Sequence, residues 1–157
     1  MGNRRQGGFT LIEVLIVVVI MAVLAATVIP QFSTTADDAK NSTLAYNLHA
    51  MRSAIELFKL HHNGSMPTVA NDVDGNPSLP QLYSATDATG AIGTAGPSFP
   101  YGPYILNRLP NNPLNGDKNV IVTTATWPPA ASTAAGGWFY HAASGQIAPN
   151  ADDHLND

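Results

Sequence analysis

Few residues of this chain have the types and spacing that chemistry needs. Asp72-Val73-Asp74-Gly75-Asn76 has the alternating carboxylates that open a calcium-binding loop. Counted from Asp72, though, Pro77 falls where such a loop needs glycine and Tyr83 where it needs a bidentate glutamate. The stretch reads as a polar turn. His61 and His62 are adjacent, so on a helix they diverge rather than chelate, and His49 and His141 stand alone as surface or packing residues. Asn150, Asp152, Asp153 and Asp157 form an acidic tail that reads as solvated. The sequence holds no Gly-x-Ser-x-Gly, no phosphate-binding Gly-x-x-x-x-Gly-Lys and no His-Glu-x-x-His. It has no cysteine, which excludes disulfides, thiol chemistry and cysteine-based zinc sites. The expectation is a chain that is not an enzyme and carries no cofactor, with calcium unsupported.

The one ionisable residue in an unusual setting is Glu13. From Phe9 to Ile29 the chain is apolar except for Thr10, Glu13 and Thr27. About 21 helical residues at ~1.5 Å rise span roughly 32 Å, matching a hydrocarbon core of about 30 Å. A carboxylate inside such a helix is unfavourable unless it reaches the interface or finds a partner. Arg4 and Arg5 precede the segment and no Lys or Arg follows until Lys40, which places the N-terminus in the cytoplasm. A secretory signal would have a shorter apolar run and a small-residue cleavage site, and the site around Val23-Leu24-Ala25 is a weak one. An ordinary single-pass anchor fits the length but leaves Glu13 with nothing to do beyond snorkelling to the headgroups.

With 157 residues, the chain has room for this segment and one modest globular domain. Seven Lys and Arg against eleven Asp and Glu give a formal charge of −4, a poor basis for gripping a phosphate backbone, so no nucleic-acid partner is expected.

Gly8-Phe9-Thr10-Leu11-Ile12-Glu13-Val14, after a short leader with two arginines, resembles the processing motif of type IV pilins and type II secretion pseudopilins. The resemblance runs from Gly8 to about Gln31 and includes Pro30. It implies a leader of residues 1–8, cut by a dedicated peptidase that then methylates the new amino group on Phe9. It also implies a membrane and filament-core segment over 9–30, and a pilin-like head over 31–157 that includes the later half of one long helix. Glu13 and Pro30 become assembly residues. Glu13 would meet the Phe9 amine of a neighbouring copy, so that two charges penalised by lipid cancel. The implied partners are copies of the chain, related minor subunits, the prepilin peptidase, the inner-membrane assembly platform and, before assembly, membrane lipid. The implied location is the inner membrane first, then a periplasmic or extracellular filament. Calcium binding in C-terminal loops belongs to the major pseudopilins, but no convincing set of ligands stands out here. Pilus and secretion pseudopilus both remain open, as does a tethered extracytoplasmic binding domain that never polymerises.

The rest of the sequence predicts an α+β fold, a long N-terminal helix packed on a small antiparallel sheet. Pro30 cannot donate to the carbonyl of Ala26, so a kink or melted stretch is expected around 26–30. Leu44, Leu48, Met51, Ile55 and Phe58 recur at steps of four and three, which is one helical stripe. Asn63-Gly64 before Pro67 reads as the stop. Leu79 to Ala85 predicts a short helix. Strands are expected at Tyr104–Leu109, Asn119–Thr126, Gly137–His141 and Gln146–Ala148, the last two joined as a hairpin. Ile105, Val120, Val122, Trp138, Tyr140 and Ile147 are the expected inward residues. The spacing of Pro110, Pro113 and Gly116 before Gly-Gly-Trp-Phe-Tyr is similar to a C-terminal layout of some prepilin-like proteins.

The polar leader ends at Gly8 and the apolar helix begins at Phe9, so cleavage is expected between them. Mass spectrometry of the N-terminal peptide from native membranes checks this, and assembled protein that retains residues 1–8 would refute it.

Overall fold

A computed structural model describes residues 8–124, 127–133 and 135–155, with the side chains of 29–34 and 153 left aside. The leader arginines Arg4 and Arg5, the end of the strand expected at 119–126, and Asp157 therefore lie outside the described residues. The chain divides after Ala39 into two units. Helix α1, Leu11–His61, runs through both. It also passes through Pro30, where a melted stretch was expected; a proline removes a single amide donor, and the turns on either side keep theirs.

In the unit beginning at Lys40, the stripe Leu44, Leu48, Met51, Ile55 and Phe58 is buried at every position, and Ala54 joins it. The helix stops as its sequence dictates. Asn63 takes a positive φ of 52°, a conformation asparagine tolerates better than most residues, and Gly64 follows at 85°. The Gly64 N–H then reaches back to the Lys59 carbonyl at 2.9 Å, satisfying a group the helix end would leave open.

Beyond the helix come two small hairpins. Strands β1 (Ala70–Asn71) and β2 (Pro77–Ser78) pair antiparallel, as do β3 (Ala85–Thr86) and β4 (Ile92–Gly93). Between them the expected short helix is a single 3-10 turn, Pro80–Leu82, which buries Leu82. The main sheet is built from β5 (Val120–Thr123), β6 (Trp138–His141) and β7 (Gln146–Pro149), in the order β5-β6-β7. The hairpin β6–β7 is antiparallel, with Tyr140 opposite Ile147. Its turn closes through Gly145, whose N–H donates to the His141 carbonyl at 2.8 Å.

The α+β class with the helix on a small sheet is as expected, and two details depart from the expectation. Strand β5 pairs with β6 in parallel, Val120 opposite Trp138. Parallel neighbours need a long crossover, and residues 124–137 supply one. Tyr104–Leu109 is bends rather than a strand; its amides at Tyr104 and Ile105 bond instead to the Leu82 carbonyl, at 2.8 and 2.9 Å.

Trp138, Tyr140, Ile147 and Val120 lie in one core with the helix stripe, Leu79, Leu82 and Leu109. Ile105 is half-buried against that core. Val122 is 44 % exposed although Val120, two residues earlier on the same face, is buried: the core covers only the start of β5. Two core side chains carry polar atoms that are also placed. Trp138 Nε1 donates to the Pro110 carbonyl at 2.9 Å, and the Tyr140 hydroxyl donates to the Pro67 carbonyl at 2.8 Å. Burial pushes the Tyr140 phenol well above its usual range, so it remains a neutral donor.

A fragment lacking residues 1–30 is expected to be soluble and monomeric. Within it, Phe58→Ala should lower unfolding stability by about 3–5 kcal/mol, the usual result of emptying a fully buried aromatic site. Size-exclusion chromatography reads the oligomeric state, and urea denaturation followed by tryptophan fluorescence reads the stability.

Candidate functional site

The N-terminal motif begins in an exposed stretch and passes directly into α1. Gly8 and Phe9 precede the helix, and Phe9 is 90 % exposed. Thr10 sits at the N-cap position and Glu13 three residues on. The Thr10 hydroxyl accepts the Glu13 N–H at 3.3 Å, while the Thr10 N–H and hydroxyl donate to Glu13 Oε2 at 2.7 and 2.9 Å. This reciprocal pair is a capping box, satisfying two amide donors that a helix start leaves open. Thr10 is the residue the sequence reading passed over, although Thr-x-x-Glu before an apolar run is its signature. The carboxylate also lies in the first turn, where the helix dipole favours negative charge.

From there Leu11–Val28 is long and apolar enough to cross a membrane, and its large apolar side chains are exposed. The hydroxyl inside it is satisfied locally, Thr27 Oγ1 donating to the Leu24 carbonyl at 2.9 Å. Pro30 lies on α1, with its side chain outside the described residues. Gly8, Phe9 and Glu13 thus share one helix entrance, and Pro30 lies several turns away.

The other residues weighed for chemistry fall into structural roles. Asp72 Oδ1 accepts the N–H groups of Asp74 and Asn76, both at 2.9 Å, which closes the β1–β2 turn. Its second oxygen faces Arg108 and Lys118 at 3.5 Å each. Asp74 pairs with the same two cations. The Asp72 side chain is 3 % exposed against 53 % for Asp74, so Asp72 is the one that depends on these partners. The Asn76 N–H chiefly holds its carboxyl below the usual aspartate range; desolvation opposes this, and the Asp74 N–H and Lys118 charge reinforce it. His62 turns inward between the Phe58 carbonyl and Thr86, at 2.7 and 3.0 Å, while His61 turns out to the Tyr104 hydroxyl at 3.0 Å. The adjacent histidines therefore diverge as expected. The tail differs from its reading as solvated: Asn150 is buried, and Asp152 accepts the Ser132 N–H at 2.7 Å. Among the described residues, no three His, Asp or Glu side chains converge as a metal-binding group.

Comparison with known proteins fits this entrance. The family described as the prokaryotic N-terminal methylation motif matches residues 3–29. The type II secretion system core protein G of Pseudomonas aeruginosa is 43 % identical over 60 residues, which is 38 % of this chain and 42 % of that one. Its counterpart from Aeromonas hydrophila is 34 % identical over 80 residues, 51 % of this chain and 55 % of that one. These two alignments therefore span about half the length of the relatives. The core protein G of Klebsiella michiganensis aligns over 126 residues at 30 % identity, covering 77 % of both chains. The chain belongs to the type II secretion system core protein G family. For a core protein G chain, the match extends well past the N-terminal motif into the sheet-bearing unit. No solved structure matches the chain.

The Asp72 cluster sets an acid response for this core protein G chain. A carboxyl whose folded pKa is depressed stabilises the fold above its unfolded pKa, and that contribution is lost as pH falls through the folded value. Asp72→Asn keeps the Oδ1 acceptor and removes the charge. The stability gap between wild type and variant should therefore be constant from neutral pH to about pH 5 and shrink below about pH 4. Urea midpoints across this range test it; a gap that stays constant to pH 2.5 would count against the charge pairing.

Proposed function

We propose that this chain is a structural subunit of a type II secretion pseudopilus, polymerising through α1 once residues 1–8 have been removed. The observation that carries the reading is the capped Glu13 at the head of a helix whose large apolar side chains are exposed. A lipid bilayer covers that surface before assembly, and the helices of other subunits cover it afterwards. Cleavage puts a cationic amine on Phe9 in the same layer as the Glu13 carboxylate. Both bonds from Thr10 fall on Glu13 Oε2, which leaves Oε1 to receive an amine from a neighbouring copy. An unpaired charge buried among apolar helices is strongly unfavourable, so each contact favours the stagger that brings the two together. On this reading the prepilin peptidase and methylase, the assembly platform and minor subunits are its partners. Its path leads from the inner membrane, with the N-terminus cytoplasmic, to a periplasmic filament. The reading assigns the chain no catalysis; its activity is assembly.

Glu13→Gln separates the charge from the cap, because glutamine at this position still completes a capping box. Cleavage and membrane level should survive the change. Sheared filaments should fall by more than about tenfold, since the loss recurs at every subunit contact. Immunoblots of membrane and sheared fractions read both quantities. Normal filament yield with normal processing would refute the pairing.

A further inference from the structure

Calcium is the ion that the pseudopilin resemblance implies for the C-terminal loops, and the crossover between β5 and β6 shows whether the residues present suit it. Asn150, just after β7, is buried, and its Nδ2 points into the crossover. Four oxygens surround that nitrogen: the carbonyls of Thr133, Ala135 and Gly136 at 3.0, 3.0 and 2.7 Å, and the Thr133 hydroxyl at 3.2 Å. Asn150 Oδ1 accepts the Thr133 N–H at 2.8 Å, which settles which end of the amide is nitrogen. Three carbonyls and a hydroxyl converging on one point make a donor set suited to a hard cation. Here an amide group fills the point.

The neighbouring carboxylates are turned to other work. Asp117 accepts the Asn119 N–H on Oδ1 at 2.9 Å and the Gly136 N–H on Oδ2 at 3.0 Å. Asp152 accepts the Ser132 N–H through Oδ1. Calcium takes six to eight oxygens at about 2.3–2.6 Å, usually with several carboxylates among them. The oxygens here stand at hydrogen-bond distances around a nitrogen, and the nearby carboxylates brace backbone amides. The residues present do not fit calcium.

We propose that the Asn150 side-chain amide takes the place of a cation in this loop, so that the chain folds and holds its C-terminal crossover without calcium. The amide brings two polarised hydrogens to the converging carbonyls, while its oxygen ties the same loop at Thr133. A neutral group therefore gathers the carbonyl dipoles that would otherwise face one another. Asn115 adds a second amide on the outer side, its Nδ2 donating to the carbonyls of Gly136 and Asn150 at 3.0 and 3.3 Å.

The experiment follows thermal unfolding of the full chain in detergent micelles by tryptophan fluorescence, in EDTA, in calcium chloride and in magnesium chloride of equal ionic strength. The midpoint should differ by less than about 1 °C between conditions, whereas a saturated site that stabilises only the folded state raises it by several degrees. A rise of several degrees specific to calcium would overturn the proposal. Asn150→Asp places a carboxylate against the same oxygens. In EDTA it should lower the midpoint by about 10 °C, in line with a buried unpaired charge in a small domain. An unchanged midpoint would equally overturn the proposal. If that variant does not fold, the wild-type comparison decides alone.

Discussion

Burial of one helical stripe under β6 and β7 is the interaction on which the Lys40–Asp157 unit rests. Leu44, Leu48, Met51, Ile55 and Phe58 come from five successive approaches of α1 to the same side, and Trp138, Tyr140 and Ile147 close over them. Neither surface is stable alone: the helix half would expose its apolar stripe, and a three-stranded sheet of four-residue strands has little else to pack on. Between the two small hairpins, the 3-10 turn and the residue before it contribute Leu82 and Leu79 to the same core. Their polar turns are fastened by local devices, Asp72 at one and Asp87 at the other, where the Asp87 carboxylate accepts the Thr89 and Ala91 N–H groups at 2.8 and 3.0 Å.

The first turn of α1 meets a different constraint. Helix starts need acceptors for their amides, and an apolar helix bound for lipid has few polar side chains to offer them. Thr10 and Glu13 satisfy that requirement together. One carboxylate thus serves two environments, since the group that caps the helix is also the group proposed to meet a neighbour's amine. This double duty gives a reason for glutamate at a depth where lipid would favour leucine.

What the sequence made legible followed from periodicity. The steps of four and three between Leu44 and Phe58 named the buried face, and Asn63-Gly64 marked the helix end. The hairpin around Ala-Ala-Ser-Gly was readable because its strands are adjacent in sequence and its turn ends in a glycine with φ of 73°. The partner of β5 was not readable, since alternation within a strand carries no sign of whether its neighbour runs with it or against it. Tyr104–Leu109 has strand composition, yet its amides found the Leu82 carbonyl first. At the N-terminus, Gly8, Phe9 and Glu13 stood out through the processing motif, while Thr10 was hidden by it. Asn150 gave no signal, because its role depends on the carbonyls of Thr133, Ala135 and Gly136, which only the folded crossover brings around it.

The order of these elements along the chain bears on the time at which the subunit can fold. The stripe on α1 is made first, and the strands that cover it, 138–149, come after a long intervening stretch. A chain that emerges N-terminus first therefore carries an uncovered apolar stripe until those strands have followed. Strand β5 also lies in parallel beside β6, so it must wait for a strand that follows it by a whole crossover. The β6–β7 hairpin closes locally and is free to arrive as a finished piece. Completion of this unit is thus tied to the arrival of residues 138–149, and a chain halted before them keeps its apolar stripe uncovered.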